Sequence, residues 1–152
     1  MLYIIEVGTN DDRMKIINSL NKSDFRQFGS FKNVYYEKIY YDNKKPIGFI
    51  VAERHNEKGK LVVDISLAVI PEYRGNGLAY KMAYEAITKL KKDKNVYKIY
   101  WGCEKNNTAS ILLAKKLGFE HDYDNGEYTV YKIICNSDYK NESTIFSNVE
   151  II

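Results

Sequence analysis

The alternation of apolar and polar positions along the chain predicts a sheet of short strands accompanied by amphipathic helices. A short apolar strand spans 3–7, and from Asn10 onward apolar residues recur at helical spacing. Three longer runs rich in β-branched and aromatic residues follow at 34–41, 46–54 and 60–70, separated by the polar turn clusters DNKK and HNEKG. Because short connections join antiparallel neighbours, these runs predict consecutive hairpins.

The second half of the chain alternates predicted helices with strands. After Gly77, apolar residues over 78–90 form one stripe at helical spacing, while lysine and glutamate occupy the other side. A strand is predicted over 96–103. A second helix is predicted over 107–117, and Gly118 ends it.

Three further segments complete the pattern. The runs 119–123 and 127–135 predict a hairpin closed by the turn 124–126. Phenylalanine at every third position within 22–33 predicts a short helix or turn over the core, and the tail 136–152 has no clear period. The order of elements predicts an α/β (α+β) fold: a mixed, mostly antiparallel sheet of about seven strands with helices on both faces.

Composition narrows the class of protein. The 152 residues show no linker, so we expect a single domain over 1–152. A net charge of +3 is too small to indicate nucleic acid, and no run predicts a signal peptide or a membrane span, so we expect a soluble cytoplasmic protein. Cys103 and Cys135 lie far apart and only two histidines are present, so no metal site is expected.

A glycine turn between a strand and a helix indicates an anion site. In the sequence IPEYRGNGLAYKM (70–82), the helix would start near Gly77, where free backbone N–H groups and the helix dipole favour negative charge. Gly75 and Gly77 permit unusual backbone angles, and Arg74 adds a positive charge. The turn therefore predicts a binding site for a phosphorylated ligand.

Three phosphate-binding patterns compete for this turn. The nucleoside triphosphate loop requires a Lys-Ser/Thr pair that the turn lacks. The dinucleotide fingerprint would place Tyr80 where close helix packing requires glycine. The pattern R/Q-x-x-G-x-G/A is satisfied at every fixed position by 74–79.

This last pattern is one of two signatures by which the chain resembles the Gcn5-related N-acetyltransferase family. The second is NTASILLAKKLGF (107–119), which matches N-x-x-[SA]-x-x-L-[YA]-x-x-x-GF. A V-x-P-x-Y lead-in is also present over 69–73. The resemblance covers residues 60 to 120 in the right order, and it implies that the phosphorylated ligand is acetyl-CoA.

What the resemblance implies is a gap between the fourth and fifth strands into which the pantetheine arm threads. Backbone from Leu67 to Val69 would hydrogen-bond the arm, the glycine turn would hold the pyrophosphate, and Asn107 would contact the arm from the other side. The residues implied to bind acetyl-CoA are Leu67, Ala68, Val69, Arg74, Gly75, Asn76, Gly77, Leu78, Ala79, Tyr80, Asn107 and Ser110.

The catalytic groups are less well defined. Many members carry a tyrosine acid where this chain has Ala114, so Tyr123 is our candidate acid, with Tyr128 as an alternative and unassisted loss of the thiolate as another. Asp64, expected to be buried among valine and isoleucine, is our candidate base. Weaker candidates are Glu53 and Glu104 as bases and Cys103 as an acyl-carrying nucleophile.

The implied function is transfer of an acetyl group from acetyl-CoA to a primary amine by direct attack through a tetrahedral intermediate. A non-catalytic acyl-CoA-binding or regulatory module, or a nucleotide-binding domain, are the alternatives. We expect the acceptor to be a small-molecule or peptide amine, shaped by 22–33, 42–46 and 120–130. Members of the family often form homodimers, which adds a second copy as an expected partner.

Overall fold

The structure, a computed structural model, describes residues 3–6, 10–19 and 31–136. Most of the predicted element over 22–33 and the tail beyond 136 lie outside these residues. In chain order the elements are β1 (Tyr3–Glu6), α1 (Asn10–Ser19), β2 (Val34–Asp42), β3 (Lys45–Glu57), β4 (Lys60–Val69), a single 3-10 turn (Pro71–Tyr73), α2 (Leu78–Lys92), β5 (Val96–Glu104), α3 (Thr108–Lys116), β6 (Glu120–Asn125) and β7 (Tyr128–Ile134).

The strands form one mixed sheet in the order β1-β2-β3-β4-β5-β7-β6, which counts seven strands within the described residues. Every neighbouring pair is antiparallel except β4 and β5, which run parallel. The predicted mixed, mostly antiparallel sheet is confirmed. The parallel pair needs a crossover, and α2 supplies it.

Three turns are tighter than the polar clusters indicated. β3 extends through His55 to Glu57, so only two residues of HNEKG form the turn, at Lys58 (φ 54°) and Gly59 (φ 82°). β6 likewise continues to Asn125, and its turn is 126–127 rather than 124–126. The turn between β2 and β3 also has two residues, 43–44. Two-residue turns with positive φ match the twist of antiparallel strands, which explains why strand pairing extends into the polar clusters.

The helices cover both faces of the sheet. On β2, the Tyr41 hydroxyl donates to Asp12 of α1 over 2.6 Å, while the adjacent Tyr40 donates to Glu85 of α2 over 2.6 Å. Since successive strand residues point to opposite faces, α1 and α2 lie on opposite sides. α3 shares the face of α2, because Trp101 reaches it from the same side of the sheet as Ile65.

The apolar stripe predicted for α2 is its buried face. Its members Leu78, Met82, Ala83, Ala86, Ile87 and Leu90 are all buried against the sheet. Each large side chain of this kind contributes roughly 1.5–3 kcal/mol when fully buried. The stripe therefore fixes the position of the helix whose first turn follows the glycine turn.

Gly118 ends α3 in the way the sequence predicts. Its φ is 96°, the Gly118 N–H donates to the carbonyl of Lys115 over 3.1 Å, and the Phe119 N–H donates to that of Ala114 over 3.0 Å. This pair of bonds is a Schellman motif, which requires a left-handed residue. It directs Phe119 back onto Trp101, with ring centroids 5.5 Å apart.

We expect Gly118→Ala to destabilise the fold by about 1–2 kcal/mol, because a Cβ in the left-handed region costs that much. Thermal or urea unfolding measures the change. Lys115→Ala, an exposed position on the same helix, is the control and should leave stability nearly unchanged. Equal stabilities for the two variants would contradict this explanation of the turn.

Candidate active site

The candidate site begins where β4 and β5 cease to pair. Their parallel register runs from Leu61 with Val96 to Ile65 with Trp101 and ends there. β4 nevertheless remains paired with β3 as far as Val69, and β5 with β7 as far as Glu104. The two strands are thus held apart by their outer neighbours, and a cleft opens between them.

The backbone of β4 beside this cleft is available to a ligand. Over 66–69, the N–H and C=O groups that point away from β3 have no β-ladder partner on the β5 side among the described residues. An extended molecule placed here would pair with these groups as an added strand does.

The cleft has a volume of about 490 Å³ and brings most of the predicted acetyl-CoA residues together. Asn76 is the exception, since it does not line the cleft. The predicted residues that do are Leu67, Ala68, Val69, Arg74, Gly75, Gly77, Leu78, Ala79, Tyr80, Asn107 and Ser110. The residues missed from the sequence include Tyr73, Trp101, Gly102 and Leu113, of which Tyr73 and Leu113 are fixed positions of the quoted motifs.

One end of the cleft is the N-terminus of α2. The N-cap is Gly77, with φ 79° and no side-chain cap, and the first turn holds no acidic residue. The first N–H to find a helical partner is that of Lys81, which donates to the Gly77 carbonyl over 3.0 Å. The preceding N–H groups and the helix dipole therefore form an electropositive end.

The glycines of this turn are required for backbone conformation. Gly75 has φ 83° and Gly77 has φ 79°, and a Cβ built on either would meet no atom within 4 Å. The protein itself therefore leaves room for a side chain. What excludes other residues is the left-handed backbone conformation of both positions.

Arg74 is fixed beside the same turn. Its Nε donates to the carbonyl of Val69 over 2.9 Å, which ties the guanidinium to the end of β4. Across the cleft, the Lys116 ammonium lies 4.5 Å from the centroid of the Tyr80 ring. Both cations favour a phosphorylated ligand at this end.

Asn107 and Ser110 hold the opposite wall in place. The Asn107 Oδ1 accepts from the Ser110 N–H over 3.1 Å and caps α3. The Ser110 hydroxyl accepts from Trp101 Nε1 over 3.0 Å. These bonds account for both residues structurally, and both residues line the cleft. Ala114 is fully buried beneath this wall.

A second cavity of about 490 Å³ adjoins the cleft, sharing Ile65, Ser66 and Gly102 with it. It contains both predicted catalytic residues, Asp64 and Tyr123, and also Tyr128. The residues that sequence reasoning did not place there are His55, Asn56, Glu57, Val62, Tyr100 and Val130. We call this cavity the acceptor cavity, because it holds the residues predicted to act on the acceptor.

Asp64 is less buried than expected. Val63 and Ile65 point into the core, but Asp64 points to the other face and its side chain is 46% exposed. His55 Nε2 lies 2.6 Å from its Oδ2. Partial burial raises the pKa of Asp64, and Glu53 adds to the rise, while His55 opposes it.

Glu57 and Tyr100 form a second polar group of the acceptor cavity. The Tyr100 hydroxyl donates to Glu57 over 2.5 Å, and Lys98 donates to Glu57 over 3.1 Å. The hydrogen bond from Tyr100, helped by Lys98, lowers the pKa of Glu57 although partial burial opposes it. Burial and Glu57 together raise the pKa of Tyr100 to about 12. Glu57 is therefore held ionised.

The two candidate acids differ in their surroundings. Tyr123 is 50% exposed. Tyr128 lies against Gly102 at the junction of cleft and cavity, where a Cβ on that glycine would be 3.6 Å from its ring. Burial and Glu104 raise the pKa of Tyr128.

None of the weaker candidates lines the cleft or the acceptor cavity. Glu53 accepts from the Lys32 N–H over 3.0 Å, and neither Glu53 nor Glu104 lines the cleft or the acceptor cavity. Cys103 is buried, and burial raises the pKa of its thiol, which keeps it protonated and weakly nucleophilic.

Among the described residues, no group of three His, Cys, Asp or Glu side chains is arranged to hold a metal ion. No helix in those residues is long and apolar enough to cross a membrane.

Residues 10–119 match the family model described as Acetyltransferase (GNAT) family. The chain belongs to this family. Membership of this family explains the fold, the cleft and the two signature motifs together. Members of the family take the acetyl group from acetyl-CoA.

Individual GNAT relatives differ in the acceptor that their names describe. Spermidine N(1)-acetyltransferase of Escherichia coli K12 is 25% identical over 142 residues, covering 86% of this chain and 73% of the relative. A putative acetyltransferase structure from Acinetobacter baylyi has a TM-score of 0.74 at 19% identity, covering 93% of this chain and 98% of its own. The ribosomal-protein-S5-alanine acetyltransferase of Vibrio fischeri has a TM-score of 0.70 at 16% identity, covering 91% and 95%.

The lowered pKa of Glu57 predicts a pH-dependent contribution to stability. A carboxyl whose pKa is lower in the folded state stabilises the fold above the unfolded value, near 4.5, and this contribution disappears as the pH falls through the folded value. We expect Glu57→Gln to lower stability at pH 7 by about 0.5 kcal/mol, since the pair is partly exposed. Unfolding curves at pH 7 and pH 3 check it, and a deficit of equal size at both would contradict it.

Proposed function

We propose that this chain is an N-acetyltransferase that moves the acetyl group of acetyl-CoA to a primary amine by direct attack through a tetrahedral intermediate. The observation that carries the proposal is the end of β4–β5 pairing at Ile65 and Trp101. It opens a cleft with an uncapped helix N-terminus at one end and a cavity of ionisable side chains adjoining it. A donor and an acceptor could therefore approach the same point from different sides.

The cleft suits the extended, anionic shape of acetyl-CoA. The pantetheine arm would pair with the exposed β4 edge at Leu67, Ala68 and Val69, where the Val69 carbonyl also accepts from Arg74 Nε. Its pyrophosphate would lie against the first turn of α2, with Arg74 beside it and Asn76 in the turn. Asn107 and Ser110 would bound the arm on the side of α3.

The transition state needs a donor for its oxyanion. The thioester carbonyl would lie along the 67–69 edge of β4. A backbone N–H of this stretch would then donate a hydrogen bond to the oxyanion. Removing such a donor typically costs about 3 kcal/mol of transition-state stabilisation. Because a backbone group serves, this function does not depend on a particular side chain.

Proton transfer is assigned to the acceptor cavity. Asp64 would help to remove the proton of the attacking ammonium, and Tyr123 would protonate the departing thiolate. Ala114 supports the search for an acid elsewhere, because an alanine buried under the α3 wall offers no hydroxyl. Tyr128, at the junction with the cleft, is the alternative acid.

The acceptor that the cavity fits best is a small amine with a second positive charge. Its lining holds two carboxylates, Glu57 and Asp64, and three tyrosine rings, and the lysine bonded to Glu57, Lys98, lies outside the lining. Carboxylates and aromatic faces both attract ammonium groups. The spermidine acetyltransferase relative supports this choice, whereas the ribosomal-protein relative represents the competing class of protein N-termini.

A non-catalytic acyl-CoA-binding module is the second candidate. Ala114 favours it, since the position where many members carry a tyrosine acid is here filled by a methyl group. Such a module would bind acetyl-CoA in the same cleft and release no free thiol.

Free thiol release from acetyl-CoA, measured over a panel of amines, tests the reaction and its acceptor. We expect linear diamines and polyamines to be acetylated with kcat/KM at least 10-fold above monoamines of equal length, since one well-placed ionic contact gives about 1.4 kcal/mol or more. Amino acids and peptides with free N-termini are the comparison. Acetyl-CoA binding without turnover of any amine would favour the non-catalytic module.

Arg74→Ala should weaken CoA binding by roughly 10- to 100-fold, because a lost charge-assisted hydrogen bond costs about 1.5–3 kcal/mol. Calorimetry with CoA measures this. Acetyl-pantetheine, which lacks the pyrophosphate, should bind the variant and the unaltered protein equally. Arg54→Ala removes the same charge outside both cavities and serves as control. Equal weakening for both ligands would place the pyrophosphate elsewhere.

A further inference from the structure

The two histidines of the chain each lie beside an aspartate, in nearly the same way. His55 Nε2 is 2.6 Å from Asp64, with side chains 52% and 46% exposed. His121 Nε2 is 2.9 Å from Asp124, with side chains 49% and 46% exposed. Only the first pair lines the acceptor cavity. The fold thus provides one pair at the site and a matched pair away from it.

The position of the first pair is set by strand register. His55 pairs with Val62 and Asp64 with Glu53 across β3 and β4, so the two side chains lie on the same face as diagonal neighbours. Asp64 immediately precedes Ile65, the last residue of β4 that pairs with β5. The pair therefore lies next to the point where the cleft opens.

The hydrogen bond between His55 and Asp64 determines which ring nitrogen of His55 can accept a proton. With the Nε2–H donating to the carboxylate, the neutral imidazole carries its lone pair on Nδ1. The carboxylate orients the ring, as in other aspartate–histidine pairs. His55 is half exposed, so a proton taken up on Nδ1 can pass to water.

We propose that His55, oriented by Asp64, accepts the proton that the acceptor ammonium must lose before it attacks the thioester. This inference rests on the proposed function and moves the role of base from Asp64 to its partner. The amine then forms the C–N bond, and the C–S bond breaks with its electron pair on sulfur. The second proton leaving the nitrogen ends on the CoA thiol, and the His55 proton is released to solvent.

Other ionisable groups around the pair come from four strands. They are Glu53 and Glu57 on β3, Lys98 and Tyr100 on β5, Tyr123 on β6 and Tyr128 on β7. Glu57, Lys98 and Tyr100 are hydrogen-bonded to one another. Glu53 accepts from the Lys32 backbone. Asp64 is therefore the carboxylate that orients the ring of His55.

The test compares His55→Gln with His121→Gln. Glutamine retains an N–H near the ε position but has no basic nitrogen. We expect His55→Gln to lower kcat/KM for the amine about 100-fold at pH 7, a size typical of general-base catalysis. The loss should shrink as the pH rises toward the pKa of the free amine, near 10.4 for a lysine-like amine, because the amine then needs no base. His121→Gln should match the unaltered protein.

Two further variants distinguish a positioning role from a structural one. Asp64→Asn should give a smaller loss with the same pH dependence, and the double variant should be no worse than His55→Gln alone, because the pair acts as one unit. Affinity for CoA and the melting temperature should be preserved in all variants. If His55→Gln melts early, His55→Asn is measured in its place.

Three results would overturn the inference. A His55→Gln variant as active as His121→Gln would show that the ring is not used. A loss of equal size at every pH would show a structural effect. No thiol release by the unaltered protein with any amine would remove the proposed function itself. Only the last result is measured on the unaltered protein. Failure of the proposed function can therefore be distinguished from failure of the inference about His55.

Discussion

The site depends on a single constraint, which is that β4 and β5 stop pairing while each remains bound to its outer neighbour. β4 stays with β3 to Val69, and β5 stays with β7 to Glu104, so neither strand can move to close the gap. Unpaired backbone groups in a sheet are costly unless water or another chain satisfies them. A ligand with amides of its own is a natural occupant, because it can satisfy these groups.

The two helices that follow the separated strands complete the cleft from one face. α2 follows β4 and begins at Leu78 after its N-cap Gly77, and α3 follows β5 and begins at Thr108 after its N-cap Asn107. Their positions are fixed by burial of the α2 stripe and by Trp101, which bonds to Ser110. The opposite face of the same strands carries Asp64 and Tyr100 toward solvent. One sheet thus separates the residues suited to an anionic donor from those suited to a cationic acceptor.

Much of the donor half could be predicted from the sequence because it depends on backbone. Gly75 and Gly77 have positive φ, and few other residues would be tolerated there, so the motif can be recognised from the residue types alone. The acceptor half depends on side chains from five strands, whose proximity follows from register. The polar cluster HNEKG predicts a turn that includes His55. A two-residue turn at 58–59 instead extends β3 and places His55 diagonally from Asp64.

Pairing alone does not give a histidine a chemical role, and the two His–Asp pairs of this chain make that plain. Their distances and exposures are nearly equal, yet one lines a cavity that adjoins the cleft and the other lies on a strand at the edge of the sheet. An exposed pair contributes at most about 1 kcal/mol to stability, so stability gives no reason to prefer either position. The difference is proximity to the cleft, and it arises because β4, unlike β6, borders the gap in the sheet.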